Sequence, residues 1–502
     1  MEETQTLATT LLNQTNELVA EDGDYAPVKS YQVLKKIIWI ESVKTWKIAA
    51  PIAVNIICLF SVNSVTSIFA GHIGNLELSA VAISLSVIAT FAFGFMLGMG
   101  SALETLSGQA FGAGEVHMLG VYVQRSCIIL FTSCIILSPI YIFTSPILKF
   151  LGQEDEIADL AGKFTLLTLP YLFSLAFTFP TQKFLQAQSK VNILTWIGVV
   201  ALVFQILLLW LFIYVFDWGI TGAAIAFDVT NWLIALSQIA YVVGWCKEGW
   251  HGFSMLAFKD IWGFVRLSLS SAVMLCLEIW YTMALTILTG HLEDPVIAID
   301  SLSICNYFNG WEFVIFLGIN AAVSVRVSNE LGMGHPRTAK YSVYVTVSES
   351  FMLGILFLVG ILIARKYIAL VFTTSKVLQE AVASLAYLLA ITMVLNSVQP
   401  VISGVAVGAG WQTLVAYINV GCYYIFGLPL GYLLGYKANW GVKGLWGGMI
   451  LGIVLQTLIL LFVLYKTDWN KEALQSTERV KRWGGRDIAT DEEAVKTEEN
   501  PI

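Results

Sequence analysis

Five carboxylates stand inside long apolar stretches of this 502-residue chain: Glu104, Asp228, Glu278, Glu312 and Glu349. An ionisable side chain at the centre of a hydrocarbon layer costs on the order of 2.5–3.5 kcal/mol on insertion scales, so such a residue is a functional candidate. Desolvation penalises the charged form of a carboxyl, and a proton is the smallest ligand that removes the penalty. The chemistry open to these groups is reversible proton binding, with interhelical hydrogen bonding as the plainer alternative. Depth ranks them. Glu278 and Glu312 fall near the middle of their apolar runs, Glu104 at the end of one, and Glu349 about two turns from an end. Glu278 is therefore the leading proton-coupling candidate, followed by Glu312 and Asp228. Its neighbours one turn away are Met274, Leu275, Tyr281 and Thr282, a mixed apolar and hydroxyl face expected to form a cavity wall. Asn306, Asn309, Asn396 and Gln399 are expected on the same cavity, where helix packing is an equal reading. Tyr281, Tyr307 and Trp311 are placed to stack on a planar solute.

Other chemistries find no support. Cys58, Cys127, Cys134, Cys246, Cys276, Cys305 and Cys422 lie in or beside apolar runs without paired spacing, so they read as small buried apolar residues. His72, His117, His251, His291 and His335 lie near loops, lack metal-ligand spacing and are expected at the surface. No nucleophile, metal or nucleotide motif suggests an enzyme, and no cofactor is expected beyond a proton gradient.

The elements that must carry these residues follow from composition. The chain is 57% hydrophobic and 13% charged, with a mean hydropathy of +0.74. A soluble chain carries about 25% charged residues. The apolar residues come in blocks of about 20, the length that spans ~30 Å of hydrocarbon. Reading between polar breaks predicts twelve helices, at 47–70, 79–105, 119–142, 160–180, 190–215, 220–243, 263–289, 297–325, 341–363, 379–404, 412–435 and 443–465. The fold class is an all-α polytopic membrane protein. Pro51, Pro139, Pro170, Pro180, Pro400 and Pro429 fall in or beside these helices, where neighbouring helices can satisfy the freed carbonyls.

The formal charge of −7 misleads. Residues 1–28 hold Glu2, Glu3, Glu17, Glu21, Asp22 and Asp24 with no base, and residues 487–502 hold six acids against Lys496. These ends read as solvated acidic tails, the membrane body is net positive, and nothing points to nucleic acid. No cleavable signal peptide is expected, because the N-terminus is acidic and the first apolar run is long and late. An even number of spans puts both termini on one side. With that side cytoplasmic, 21 Lys and Arg lie inside and seven outside: Lys149, Lys163, Arg365, Lys366, Lys376, Lys437 and Lys443. The acidic outer loops (Glu154, Asp155, Glu156; Glu293, Asp294) add little to this bias. The sequon at Asn13 would then face the cytoplasm, unused.

A repeat at about 220 residues organises the spans. Gly71-His72 recurs as Gly290-His291, and Gln109-Ala-Phe-Gly-Ala-Gly114 as Asn329-Glu-Leu-Gly-Met-Gly334. Pro180 pairs with Pro400, and Trp218-Gly-Ile-Thr-Gly222 with Trp440-Gly-Val-Lys-Gly444. Six spans per copy is even, so the halves are parallel repeats about an axis along the membrane normal, with a cavity between them. The expected organisation is a tail over 1–46, an N-lobe over 47–243, a linker over 244–262, a C-lobe over 263–466 and a tail over 467–502. Arg326, Asn329, Glu330, Gly332 and Gly334, like Gln109, Gly112 and Gly114, read as a turn and gate network without chemistry. Pro180 and Pro400 belong to the same structural set.

Four motifs in order carry a resemblance: Glu104-Thr-Leu-Ser-Gly-Gln-Ala-Phe-Gly-Ala-Gly114, Ser271-Ala-Val-Met-Leu-Cys-Leu-Glu278, Ser324-Val-Arg-Val-Ser-Asn-Glu-Leu-Gly332 and Ser403-Gly-Val-Ala-Val-Gly-Ala-Gly-Trp-Gln412. They resemble the plant branch of the multidrug and toxic compound extrusion (MATE) family over roughly residues 40–466. The resemblance implies two six-helix lobes in a V and cation-coupled, usually proton-coupled, antiport of small organic solutes. Asn396-Ser-Val-Gln-Pro400 looks like the subgroup associated with flavonoid transport into vacuoles. Three positions depart from the family pattern: Ser270 for a usual Pro, Val407 for a frequent Arg, and Asn396 for a frequent Asp. The last removes one family acid from the C-lobe. The expected activity is proton-coupled export from the cytoplasm by a monomer in the vacuolar membrane. The alternatives are an anion channel or uniporter on the same scaffold, and residence in the plasma membrane.

Overall fold

A helix closes its backbone hydrogen bonds within itself, so each apolar block forms one. The computed structural model describes residues 23–28, 30–259, 261–290, 292 and 295–483. The sequon at Asn13, the acids Glu2, Glu3, Glu17, Glu21 and Asp22, the six C-terminal acids, and His291, Glu293 and Asp294 lie outside the described residues. Among the described residues, eleven helices are long and apolar enough to cross a membrane, and one bent pair supplies a twelfth span. They are α1 (Tyr31–Ile73), α2 (Asn75–Gly112), α3 (Met118–Ile142), α4 (Asp155–Leu167 and Leu169–Ala187), α5 (Val191–Val215), α6 (Gly219–Trp245), α7 (Ile261–Thr289), α8 (Pro295–Gly332), α9 (Pro336–Ala364), α10 (Lys376–Ala409), α11 (Gln412–Lys437) and α12 (Gly441–Lys466). A shorter helix, α13 (Trp469–Arg482), follows. Every expected span is present, and α1 starts sixteen residues earlier than hydropathy suggested because its polar first turns are held by partners described below.

The halves of α4 meet at 45°, with Pro170 opening the second half. Two side chains of α6 hold this break. Asp228 Oδ1 accepts the Tyr171 N–H at 3.0 Å, and Trp232 Nε1 donates to the Pro170 carbonyl at 3.0 Å. Helices α1–α6 and α7–α12 form the two lobes of a V, each with its own apolar core.

The lobes meet through α1 on α8 and through α2 on α7 and α8. The repeat explains this seam. A Cβ on Gly112 would collide with the Asn329 backbone, one on Gly332 with the Gln109 backbone, and one on Gly108 with Ser328. Residues 108, 109 and 112 are the repeat mates of 328, 329 and 332, so α2 and α8 cross on the pseudo-twofold axis by exchanging equivalent contacts. Only a side chain without Cβ lets two backbones approach this closely.

Two expectations about the tails change. Asp24 and Tyr25, placed in a solvated acidic tail, are each 2% exposed. The segment 467–502, read as a tail, contains the docked helix α13. Asp468 caps it, and Trp469, Ala473, Ser476 and Val480 form a buried stripe at helical spacing on an otherwise polar helix.

Candidate functional site

Glu278 lies near the middle of α7, half-buried, and three donors from two other helices converge on its Oε1. Gln399 Nε2 of α10 donates at 3.1 Å, Asn419 Nδ2 of α11 at 3.2 Å, and Ser403 Oγ of α10 at 3.4 Å. The network extends to α12, where Gln456 Nε2 donates to Asn419 Oδ1 at 2.9 Å. The π-helical turn Val420–Gly427 begins directly after Asn419, and wide turns of this kind recur at functional sites. Protonation on Oε2 leaves Oε1 accepting from all three donors.

The expected cavity residues divide. Gln399 is 7% exposed and is a ligand of Glu278. Asn396, one turn away on α10, donates from Nδ2 to Asn309 Oδ1 of α8 at 2.9 Å. Asn306, Tyr307 and Trp311 lie on the exposed face of α8. Tyr281 is a correction. It is 1% exposed, stacks on Tyr423 with ring centroids 4.3 Å apart, and donates its hydroxyl to the Met449 carbonyl at 2.9 Å. The face of α7 that carries Met274 and Tyr281 packs into the C-lobe and forms no cavity wall. A 3.6-residue period cannot say which of two apolar surroundings a face meets.

The other carboxylates are far apart in role. Asp228 sits in the N-lobe as the cap of the α4 break. Glu104 of α2 pairs with Lys183 of α4 at 2.5 Å. Glu349 of α9 accepts from Ser42 of α1. Glu312 of α8 is 2% exposed, and neither of its oxygens has a hydrogen-bond partner among the described residues.

The residues expected to form a turn and gate network make ion pairs and hydrogen bonds with one another and with α1, α4 and α10. They lie on the face that carries Asp24 and α13. Arg326 of α8 reaches Glu41 of α1 at 2.8 Å and Glu330 at 2.7 Å, and His335 Nδ1 lies 3.2 Å from Glu330. Glu41 also accepts from the Tyr25 hydroxyl at 2.8 Å and from Lys44 at 3.2 Å. His335, expected at the surface, is half-buried beside Glu330. Asn329 Nδ2 donates to the Ala187 carbonyl of α4 at 3.1 Å. Thr105 Oγ1 and Gln109 Nε2 of α2 donate to the carbonyls of Val407 and Gly408 at 2.5 and 3.1 Å. Pro180 and Pro400 lie within α4 and α10, and the Pro400 carbonyl accepts from Asn320 Nδ2 at 2.6 Å.

Two pieces that sequence reasoning missed strap this face. Asp24 accepts the backbone N–H groups of Arg337 and Thr338 at 2.9 and 2.8 Å and the Thr338 hydroxyl at 2.7 Å, so it caps α9 from 313 residues away. Burial pushes the Asp24 carboxyl up, but the hydrogen bonds from Thr338, Arg337 and Tyr25 outweigh it and hold the group below its ordinary value. From α13, Arg479 Nη1 donates to Gln109 Oε1 of the N-lobe at 3.0 Å and to the Ala409 carbonyl of the C-lobe at 3.1 Å. The hydrogen bonds and ion pairs between the lobes cluster on this face, so the V is closed there.

Comparison with known proteins matches this architecture. The MatE family profile matches residues 51–211 and 270–433. Protein DETOXIFICATION 35 of Arabidopsis thaliana is 66% identical over 469 residues, 93% of this chain and 96% of the relative. Protein DETOXIFICATION 34 of Arabidopsis thaliana is 61% identical over 485 residues, 96% of this chain and 90% of the relative. The crystal structure of the eukaryotic MATE transporter AtDTX14 superposes with a TM-score of 0.84 at 33% identity, covering 88% of this chain and 100% of that one. A MATE transporter from Vibrio cholerae, VcmN in its bent form, gives 0.77 at 17% identity over 88% of this chain and 99% of its own, a likeness of fold.

Proposed function

Because the chain belongs to the MatE family and is a multi-pass membrane transporter, we propose that it is a proton-coupled antiporter exporting small organic solutes from the cytoplasm. The observation that carries this reading is Glu278, a mid-span carboxyl on one oxygen of which Gln399, Ser403 and Asn419 converge. The face bearing Asp24 and α13 is cytoplasmic, a side supported by the excess of Lys and Arg in its segments. With that gate closed, the cleft between the lobes opens to the other side. A proton arriving there neutralises Glu278, and solute leaves past Asn306, Tyr307 and Trp311. Loss of the proton to the cytoplasm favours the inward-open state, which reloads solute.

The solute class is planar and aromatic with hydrogen-bonding edges, such as a flavonoid, in keeping with exposed aromatics beside uncharged amides. The address is the vacuolar membrane, resting on the likeness of Asn396-Ser-Val-Gln-Pro400 to the flavonoid subgroup; a fluorescent fusion confined to the plasma membrane would refute it. Monomeric function is part of the same proposal, because each chain contains both lobes. Light scattering of the lipid-reconstituted protein that returned only dimers would count against it.

The test is Glu278→Gln in reconstituted vesicles. The amide preserves volume and one acceptor but cannot cycle charge. The variant is expected to fold and to lose pH-gradient-driven accumulation; normal accumulation by a well-folded variant would remove Glu278 from the mechanism. A second reading, an anion-conducting path on the same scaffold, is favoured by the uncharged Asn396–Asn309 pair where many plant relatives carry an acid. Solute-dependent proton efflux under voltage clamp supports antiport, and current without protons supports conduction.

A further inference from the structure

Glu312 is the buried acid that the mechanism above leaves unused. It sits near the middle of α8, is 2% exposed, and has no hydrogen-bond partner on either oxygen among the described residues. The acids nearest to it in depth on the helices packed against α8, together with Arg326 and Arg479, have other partners. Glu349 of α9 meets Ser42, Glu41 of α1 meets Arg326, and Glu104 of α2 meets Lys183 of α4. Glu278 of α7 holds its three donors, Arg479 of α13 reaches Gln109, and α10 carries no charged residue from Ala381 to Ala409. Within α8, Asp300 lies three turns away towards the outer end and Arg326 about four turns away towards the gate.

An ionised carboxylate with no partner in such surroundings is costly, and a bound proton removes that cost. A metal cation is the poorer occupant. It demands a shell of oxygen ligands, and among the described residues no group of three or more His, Cys, Asp or Glu is placed to hold a metal. The surroundings are also asymmetric. One turn towards the outer side stands Asn309, half-buried and bonded to Asn396. One turn towards the cytoplasmic gate, Phe316 is fully buried and packs edge-on against Phe357 of α9. The polar approach to Glu312 is therefore from outside, and the inner approach is apolar. Helix α8 then runs without a break to Arg326, Asn329 and Glu330 in the closed gate.

We propose that Glu312 is a second proton-binding site, loaded from the outer side past the Asn309–Asn396 pair while the gate at the other end of α8 is closed. This rests on the antiport reading for its use in a cycle, but not for the proton itself. On loading, an external hydronium gives its proton to one carboxylate oxygen. On unloading, the same O–H bond breaks and the proton leaves to the cytoplasm once α8 has moved and water reaches the site. Each cycle then carries one more proton than Glu278 alone would carry.

The test is infrared spectroscopy of the full chain in lipid nanodiscs near neutral pH, followed by proton counting in vesicles. The carbonyl stretch of a protonated carboxyl is expected in the wild type, retained in Glu278→Gln and lost in Glu312→Gln. Retention of the whole band in Glu312→Gln overturns the proposal, as does a wild-type band that sodium alone abolishes. In vesicles the number of protons moved per solute is expected to fall by one in Glu312→Gln. Loss of the band with an unchanged count makes Glu312 a permanently neutral packing acid and also overturns it. A wild type that moves no protons while the band still depends on Glu312 refutes the antiport reading and the cycling of this proton, leaving only the bound proton standing. Glu312→Met serves for the same band and count if the Gln variant folds poorly.

Discussion

Replacing Glu41 with Gln tests whether the ion cluster on the face of Asp24 and α13 is the inner gate. Glu41 is fully buried and receives Arg326 at 2.8 Å, the Tyr25 hydroxyl at 2.8 Å and Lys44 at 3.2 Å. The amide keeps the volume but removes the charge that offsets the buried Arg326 guanidinium. Breaking a buried pair from one side costs roughly 3–5 kcal/mol. Glu330 still contacts Arg326 at 2.7 Å, so the lower end applies, about 3 kcal/mol. Because the pair joins α1 of one lobe to α8 of the other, this energy belongs to the closed state. A loss of about 3 kcal/mol moves the equilibrium about a hundredfold towards the inward-open form, at about 1.4 kcal/mol per tenfold. Spin labels at His117→Cys and Met333→Cys, exposed positions on opposite lobes of this face, read the change as a new longer distance. An unchanged distance distribution in a well-folded Glu41→Gln protein would mean that the end of α1 travels with the C-lobe, and the gate assignment would fall.

Two further outcomes follow from the same geometry. Asn396→Asp places a second titratable group one turn from Gln399, a ligand of Glu278, and is expected to shift or broaden the pH profile of transport by about one unit as the two acids titrate together. An unchanged profile separates position 396 from the proton path. Asp24→Ala removes the cap of α9 at a cost of about 2 kcal/mol, read as faster amide exchange at Arg337 and Thr338. The Asp24 carboxyl is held below its ordinary value, so its contribution is complete above the unfolded value of about 3.9 and is lost only as pH falls through the lower folded one. Across the neutral range the latch should therefore show no pH dependence, and release between about pH 5 and 8 would refute it.

The lengths of the apolar blocks, the 220-residue repeat and the mid-span position of Glu278 were all legible before any coordinates. Each reflects a constraint that acts locally along the chain: the thickness of hydrocarbon, the even span count, the cost of a charge far from either end of a helix. The repeat also paired Gly112 with Gly332, but that α2 and α8 cross at these residues emerged only in the packed structure. What lay beyond the sequence was direction and partnership. Periodicity put Tyr281 on the face of Glu278, but only the packing of α11 and α12 decided that this face points into the lobe. Asp24 and Thr338 are 314 residues apart, as are Arg479 and Gln109 by 370, and nothing local marks either pair. Asp228 and Glu312 look alike as lone acids in apolar runs. One caps a broken helix because α6 lies beside the α4 bend, and the other has no hydrogen-bond partner among the described residues because the nearest polar side chain on its own helix, Asn309, is bonded to Asn396. A buried polar group takes its role from the donors that three-dimensional packing brings within about 3 Å, and that distance is set by neighbours remote in sequence.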